Sequence, residues 1–190
     1  MPPRRSQASG KRAQGGAEQA VWNLPARGPN DVWSYDFMGG RTRDGSPLRI
    51  LNVVDEHTRL ALGCRVARSI GAGDVRTELE RLFARHGRPR VLLSDNGREF
   101  IAASLGTWLD EQGVARAFIE KGSPQQDAFV ERFNGTMRDE LLNGEEFDSL
   151  TEARVVIAAW VEQYNTLRPH RGLGMMTPSA FAASLRKGPK

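Results

Sequence analysis

Residues 90–95 read Arg-Val-Leu-Leu-Ser-Asp, an apolar run without the polar alternation of a half-exposed strand. A strand of this kind is covered on both faces, as in a sheet that carries helices on both sides. Apolar residues ahead of the run recur at helical spacing and predict an amphipathic helix over 73–85. Beyond the run, the sequence predicts a second helix over 100–112 and a strand over 114–119.

Three further strands are predicted before the first helix, because residues 32–38, 48–54 and 60–66 are apolar or alternating and are separated by short connections. Their closeness in sequence is typical of a meander. The order of three strands, helix, strand, helix, strand and then helices predicts an α/β fold, a five-stranded mixed sheet flanked by helices.

A helix start is marked by Ser123-Pro124-Gln125-Gln126, because Ser caps a helix, Pro suits its first position and Gln at the third completes a capping box. Two sets of residues follow at helical spacing and predict two faces of this helix. The apolar face consists of Phe129, Phe133, Met137 and Leu141, and the polar face of Asp127, Glu131, Asn134 and Arg138. A further helix is predicted over 151–164, and Thr177-Pro178 is expected to cap a short last helix.

The chain of 190 residues is long enough for one domain and a tail. Residues 1–30 have few bulky apolar positions, so we expect a disordered basic tail there and a folded core over 31–190. No apolar run approaches the roughly 18 residues that cross a bilayer, and the N-terminus does not resemble a secretory signal. We therefore expect a cytoplasmic protein. One cysteine, Cys64, and three histidines exclude an internal disulfide and a paired Cys/His zinc site.

Charge is distributed unevenly along the chain. Residues 1–30 carry a net charge of +4, residues 31–164 carry −5, and residues 165–190 carry +5. Basic ends around an acidic centre suit a polyanion such as nucleic acid whose chemistry requires carboxylates, although many basic tails are merely solvated.

Four carboxylates are candidates for that chemistry. Asp36, Asp55 and Asp95 lie at or near the ends of apolar strands, and Glu131 lies on the polar face of a predicted helix. Three of them also have a structural explanation: Asp95 and Asp55 fit turns, the latter a solvated hairpin corner, and Glu131 fits an exposed helix surface. Asp36 stands out, because burying a carboxylate among apolar residues is costly unless it is paired or binds a metal.

Carboxylates from two adjacent parallel strands and a helix crossing the same sheet edge can converge on one point. Such groups repel each other unless divalent cations lie between them, and an all-oxygen donor set favours Mg²⁺ or Mn²⁺. Two ions about 4 Å apart can activate a water or hydroxyl group and stabilise the leaving oxygen in phosphoryl transfer. Asp95 and Glu131 are separated by 35 residues.

At these positions the chain resembles the integrase core of bacterial insertion-sequence transposases of the IS-three family, which are similar to retroviral integrases. The resemblance extends over about residues 29–181 and rests on an ordered series of motifs. These are Trp33-x-x-Asp36-Phe37, Leu51-Asn52-Val53-Val54-Asp55-x-His57-Thr58-Arg59, Ser94-Asp95-Asn96-Gly97-x-Glu99-Phe100, Gly122-Ser123-Pro124, Val130-Glu131-x-Phe133-Asn134-Gly135 and Tyr164-Asn165-x-x-Arg168-Pro169-His170.

This resemblance implies a ribonuclease-H-like fold and a catalytic, metal-binding triad of Asp36, Asp95 and Glu131 with two Mg²⁺ or Mn²⁺ ions. It implies that water first cuts a phosphodiester at a transposon end and that the freed 3′-hydroxyl then attacks a second phosphodiester. The expected partner is DNA, bound by a homo-oligomer at paired ends in the bacterial nucleoid. Near the Glu131 helix, Lys121, Gln125 and Arg138 are candidates for contacting DNA phosphates.

The chain departs from the family pattern in two places. Residues 1–30 show no helical periodicity of the kind expected for the helix-turn-helix region that usually precedes the core. Asp127-Ala128 replaces the usual Asn-Gly after Gln126, which suggests altered metal affinity or DNA placement. Two alternatives therefore remain: a nuclease that only hydrolyses DNA, and a catalytically inactive remnant that binds DNA or multimerises.

Overall fold

The computed structural model describes residues 26–94, 103–118 and 128–186. Its strands and α-helices, in chain order, are β1 Val32–Arg41, β2 Pro47–Asp55, β3 Ala61–Ala67, α1 Ala72–His86, β4 Val91–Ser94, α2 Ala103–Glu111, β5 Ala115–Phe118, α3 Ala128–Met137, α4 Leu150–Thr166 and α5 Pro178–Arg186. A π-helical segment, Arg138–Leu142, extends α3, and a 3₁₀ turn, Arg171–Leu173, precedes α5. Within the described ranges, no helix is long and apolar enough to cross a bilayer.

The strands form one mixed sheet in the order β3-β2-β1-β4-β5. β1 and β3 are antiparallel to β2, whereas β4 is parallel to both β1 and β5. The prediction of a five-stranded mixed sheet flanked by helices is confirmed. The described elements also have the predicted types, with bounds that differ by a few residues.

Helices cover both faces of the sheet. On one face α1 and α2 pack against Trp33 and Leu51, and on the other α3 and α4 pack against Met38 and Ile50. Because side chains alternate along a strand, Ser34 and Asp36 share the second face with Met38. This alternation directs a polar part of β1 towards α3.

Several predictions can be compared only in part with the structure. Thr177 caps the last helix as predicted, since its Oγ1 accepts from the backbone N–H of Ala180 at 3.2 Å. The predicted helix start at 123–126 and residues 1–25 of the predicted tail lie outside the described residues. The division into a tail over 1–30 and a core over 31–190 remains a prediction.

Asn165 binds the backbone of the edge strand β3. Its Oδ1 accepts from the N–H of Ala61 at 2.9 Å, and its Nδ2 donates to the C=O of Ala61 at 2.9 Å. Ala61 lies where the pairing register between β2 and β3 shifts. The Asn165 side chain thereby satisfies two buried backbone groups at an irregular edge and fixes α4 to the sheet.

We expect Asn165→Ala to lower the free energy of unfolding by about 2–3 kcal/mol, because both backbone groups of Ala61 lose their partner while they stay buried. Urea unfolding followed by circular dichroism measures this change. Gln163→Ala, an exposed position on the same helix, is the matched control. Equal stability of the two variants would contradict the assignment.

Candidate active site

Asp36 lies in the middle of β1 on the face covered by α3, where it is half-buried. Its Oδ2 accepts a hydrogen bond from Asn134 Nδ2 at 2.8 Å, and its Oδ1 accepts from the backbone N–H of Phe37 at 2.7 Å. These two N–H donors replace part of the hydration that the carboxylate loses on burial. The sequence analysis expected a buried Asp36 to be paired or to bind a metal, and the amide of Asn134 is one such partner.

Asn134 also connects α3 to β2. Asn52 lies directly opposite Asp36 in the antiparallel pairing of β1 and β2. Its Nδ2 donates to Asn134 Oδ1 at 2.8 Å, and both asparagines are buried. The three side chains therefore form a chain of hydrogen bonds that joins β1, α3 and β2.

Glu131 lies in the first turn of α3 and is exposed to solvent. It precedes Asn134 by three residues, so both side chains lie on the same side of the helix. Since Asn134 bonds to Asp36, this side of α3 is the side that approaches β1. The fold thereby brings the helix turn that carries Glu131 to the strand that carries Asp36.

Of the remaining predicted site residues, the structure describes only Arg138. Asp95, Lys121 and Gln125, as well as Asp127, lie outside the described residues. Arg138 is exposed at the start of the π-helical segment, seven residues after Glu131. Short π-helical segments within α-helices occur frequently near functional sites.

Asp55 has a structural role at the end of β2. Its Oδ1 accepts from the N–H and Oγ1 of Thr58 at 2.8 and 2.9 Å, and its Oδ2 accepts from the N–H of Asn30 at 2.7 Å. The prediction of a turn is confirmed, but the expected solvation is wrong because Asp55 is 2% exposed. Hydrogen bonds from the protein replace the water that the corner was expected to bind.

A second buried carboxylate near Asp36, Glu56, was not singled out in the sequence. Ser34 Oγ, two residues before Asp36 on the same face of β1, donates to Glu56 Oε1 at 2.5 Å. Burial raises the pKa of Glu56, an effect that the hydrogen bond from Ser34 opposes. The alternation of Ser34 and Asp36 with apolar residues along β1 was the sequence signal that this face of the strand has polar partners.

The donor chemistry of this region fits a hard divalent cation. Asp36 and Glu131 supply carboxylate oxygens, which are the donors that such a cation prefers. Among the residues that the structure describes, no three His, Cys, Asp or Glu side chains form a metal-binding group.

Two family models, both described as integrase core domain, match residues 26–124 and 112–178. The chain is 40% identical over 158 residues to a protein of insertion element IS407 from Burkholderia multivorans. This match covers 83% of the chain and 57% of that protein. The chain is 39% identical to a protein of insertion element IS476 from Xanthomonas euvesicatoria, with 83% and 46% covered. With transposase InsF of IS3A from Escherichia coli it shares 28% identity, with 82% and 55% covered.

The chain thus spans about half the length of these relatives. A solved structure of similar fold is the HTLV-2 integrase catalytic core domain in complex with magnesium, with a TM-score of 0.65 and 15% identity. It covers 81% of this chain and 97% of that one. The sheet and its flanking helices therefore form a ribonuclease-H-like fold. The chain belongs to the integrase core domain family and is similar to proteins encoded by bacterial insertion elements.

Proposed function

We propose that this chain catalyses metal-dependent cleavage and joining of DNA strands at the ends of an insertion element. Asp36, Asp95 and Glu131 are the proposed catalytic and metal-binding residues. Lys121, Gln125 and Arg138 are the proposed DNA contacts near the Glu131 helix. The observation that carries the proposal is the hydrogen bond between Asn134 and Asp36, which fixes the Glu131 turn of α3 against β1.

The position of Asp95 in the sequence supports its inclusion. It follows Ser94, the last residue of β4, and β4 runs parallel to β1. The register pairs Ser34 of β1 with Leu93 of β4, and Asp36 and Asp95 each follow this pair by two residues in the sequence, so their carboxylates could lie side by side. Together with Glu131 they would supply the oxygen donors for two Mg²⁺ or Mn²⁺ ions. When bound, such ions supply positive charge that stabilises the transition state of phosphoryl transfer and acidifies the attacking water.

The proposed reaction has two displacements at phosphorus. In the first, a water oxygen bonds to a phosphodiester phosphorus while the bond to the 3′ oxygen breaks, and this oxygen takes up a proton. In the second, the resulting 3′-hydroxyl attacks a target phosphodiester, loses its proton and displaces the target's 3′ oxygen. Each step exchanges one P–O bond for another, so the protein needs no covalent intermediate.

In these steps the protein's side chains orient the carboxylates and balance charge. Asn134 holds the Asp36 carboxylate in one orientation and is itself fixed by Asn52, so little reorganisation is needed when substrate binds. The exposed Glu131 is accessible to a DNA strand lying along α3. We further propose that the active form is a homo-oligomer on paired DNA ends at the nucleoid.

A branched duplex tests this function without requiring recognition of a particular end sequence. In this substrate an element strand is already joined to a labelled target strand, and the joining reaction run in reverse reseals the target. We expect the full 190-residue chain with Mg²⁺ or Mn²⁺ to yield the resealed strand. Cut strands without resealed product would instead indicate a hydrolytic nuclease, and unchanged substrate an inactive DNA-binding remnant.

We expect Glu131→Gln to lower the rate of resealing at least ~100-fold, because a lost metal ligand removes several kcal/mol of transition-state stabilisation. The melting temperature should stay unchanged because Glu131 is exposed, and the affinity for duplex DNA without divalent cation should not fall, because the substitution removes a negative charge beside the strand. Glu145→Gln, an exposed position in the loop after the π-helical segment, is the control. Equal rates for the two variants would remove Glu131 from the catalytic set.

Asn134→Ala tests the positioning of Asp36. Loss of a hydrogen bond to a charged group costs about 1.5–3 kcal/mol, so we expect kcat to fall roughly 10- to 100-fold. The Mg²⁺ concentration for half-maximal rate should rise, whereas the Kd for duplex DNA should not change.

Asn143→Ala, an exposed asparagine beyond the π-helical segment, is the matched control for this variant. If Asn134→Ala loses stability but keeps its kcat and its Mg²⁺ dependence, Asn134 has only a structural role.

A further inference from the structure

A cavity of about 290 Å³ lies beside α3 and is lined by four arginines, Arg59, Arg132, Arg168 and Arg171. The described residues that line it include no acidic side chain. Arg168 pairs with Glu140 outside the cavity, and Arg59 donates to the backbone C=O of Glu56. Four guanidinium groups around one cavity leave an excess of positive charge that an anion would neutralise.

Two of these arginines are available for a ligand. Arg132 on α3 and Arg171 in the 3₁₀ turn are both exposed, and neither has an ion-pair partner within the described ranges. Arginine presents a planar fork of N–H donors that matches two oxygens of a phosphate group. The two side chains approach the cavity from different elements, so a bound phosphate would be held from two sides.

The walls of the cavity are held in place by aromatic contacts. The Arg59 guanidinium lies over the Phe129 ring, with its carbon 3.2 Å from the ring centroid. Arg59 reaches this position from a backbone with φ of 62°, the left-handed region that non-glycine residues rarely adopt. The turn that contains this conformation is closed by the hydrogen bond from the N–H of Arg59 to the C=O of Asp55 at 2.8 Å, which sets where the side chain leaves the backbone.

One lining residue, His170, is fixed by its packing. His170 contributes to the lining, and its Nε2 is buried without a hydrogen-bond partner in the described part of the chain. Its ring packs edge-on against Tyr164 at 5.1 Å between centroids. The packing of this ring against Tyr164 keeps the His170 wall of the cavity in one position.

We infer that this cavity binds a phosphodiester group of the DNA substrate. The inference rests on the proposed function and adds an anchoring site to it. Arg132 directly follows Glu131 on α3, and the two Cα atoms are therefore about 3.8 Å apart. Their side chains leave the helix about 100° apart, so Glu131 and the cavity lie on adjoining sides of α3. A DNA strand that crosses α3 at Glu131 would therefore bring a neighbouring phosphate towards Arg132.

The test compares two double variants of the full chain that remove the same charge. Arg132→Gln with Arg171→Gln alters the cavity, whereas Arg76→Gln with Arg85→Gln removes two exposed arginines from α1 on the opposite face of the sheet. Affinity for a fluorescent duplex is measured in Ca²⁺-free and Mg²⁺-free buffer at several salt concentrations. Circular dichroism and thermal unfolding confirm that all proteins are folded.

We expect the cavity variant to bind duplex roughly 10-fold more weakly than the control variant. The slope of log K against log salt should fall by about 1, as expected when one phosphate contact is lost. Duplexes with single neutral methylphosphonate linkages then locate the phosphate. At one or two linkages we expect weaker binding by the wild-type chain and no further effect on the cavity variant.

Equal affinity and equal salt slope for the two double variants would overturn the inference while leaving the proposed function intact. Stabilisation of the wild-type chain by inorganic phosphate at matched ionic strength, with unchanged DNA binding by the cavity variant, would assign the cavity to a free anion and also overturn it. Failure of the wild-type chain to bind duplex would instead count against the proposed function.

Discussion

The hydrogen bond from Asn134 to Asp36 is the contact on which the geometry of the candidate site depends. It joins residues 98 positions apart and links α3 to β1 beside the apolar contacts of this interface. An aliphatic pair at these positions would pack at lower electrostatic cost, because a half-buried carboxylate requires donors to replace its hydration. The interface instead fixes an acidic group in one orientation, which is the arrangement that a cation-binding site needs.

A polar strip runs across this face of the sheet. Ser34 bonds to buried Glu56, and Asp36 bonds to Asn134, which bonds to Asn52. Apolar packing on both sides of the strip, with Phe133 and Met137 on α3, carries most of the stability of the interface. This division lets the apolar contacts hold the helix while the polar strip determines the orientation of Asp36.

Much of the fold could be predicted from the sequence because strands and helices leave periodic patterns of apolar residues. The β1 alternation and the uninterrupted run at 91–94 predicted two strands that pair in the observed sheet. The partner of Asp36 could not be predicted this way, since polar residues on a helix surface look alike until the register of the helix on the sheet is known. The prediction that Asp55 is exposed to solvent was wrong for a similar reason, because Asn30 supplies a hydrogen-bond donor from a distant segment.

The segment from Tyr164 to His170 shows how one motif serves two purposes. Asn165 satisfies the backbone of β3, whereas Tyr164 packs edge-on against Phe133 of α3 at 4.8 Å between centroids and also supports His170 at the proposed phosphate site. The motif thus connects the edge of the sheet, the Glu131 helix and the arginine-lined cavity through rigid contacts. Because α3 contributes Glu131 to the proposed catalytic centre and Arg132 to the cavity, the position of one helix determines both where a strand would be cut and where its neighbouring phosphate would be held.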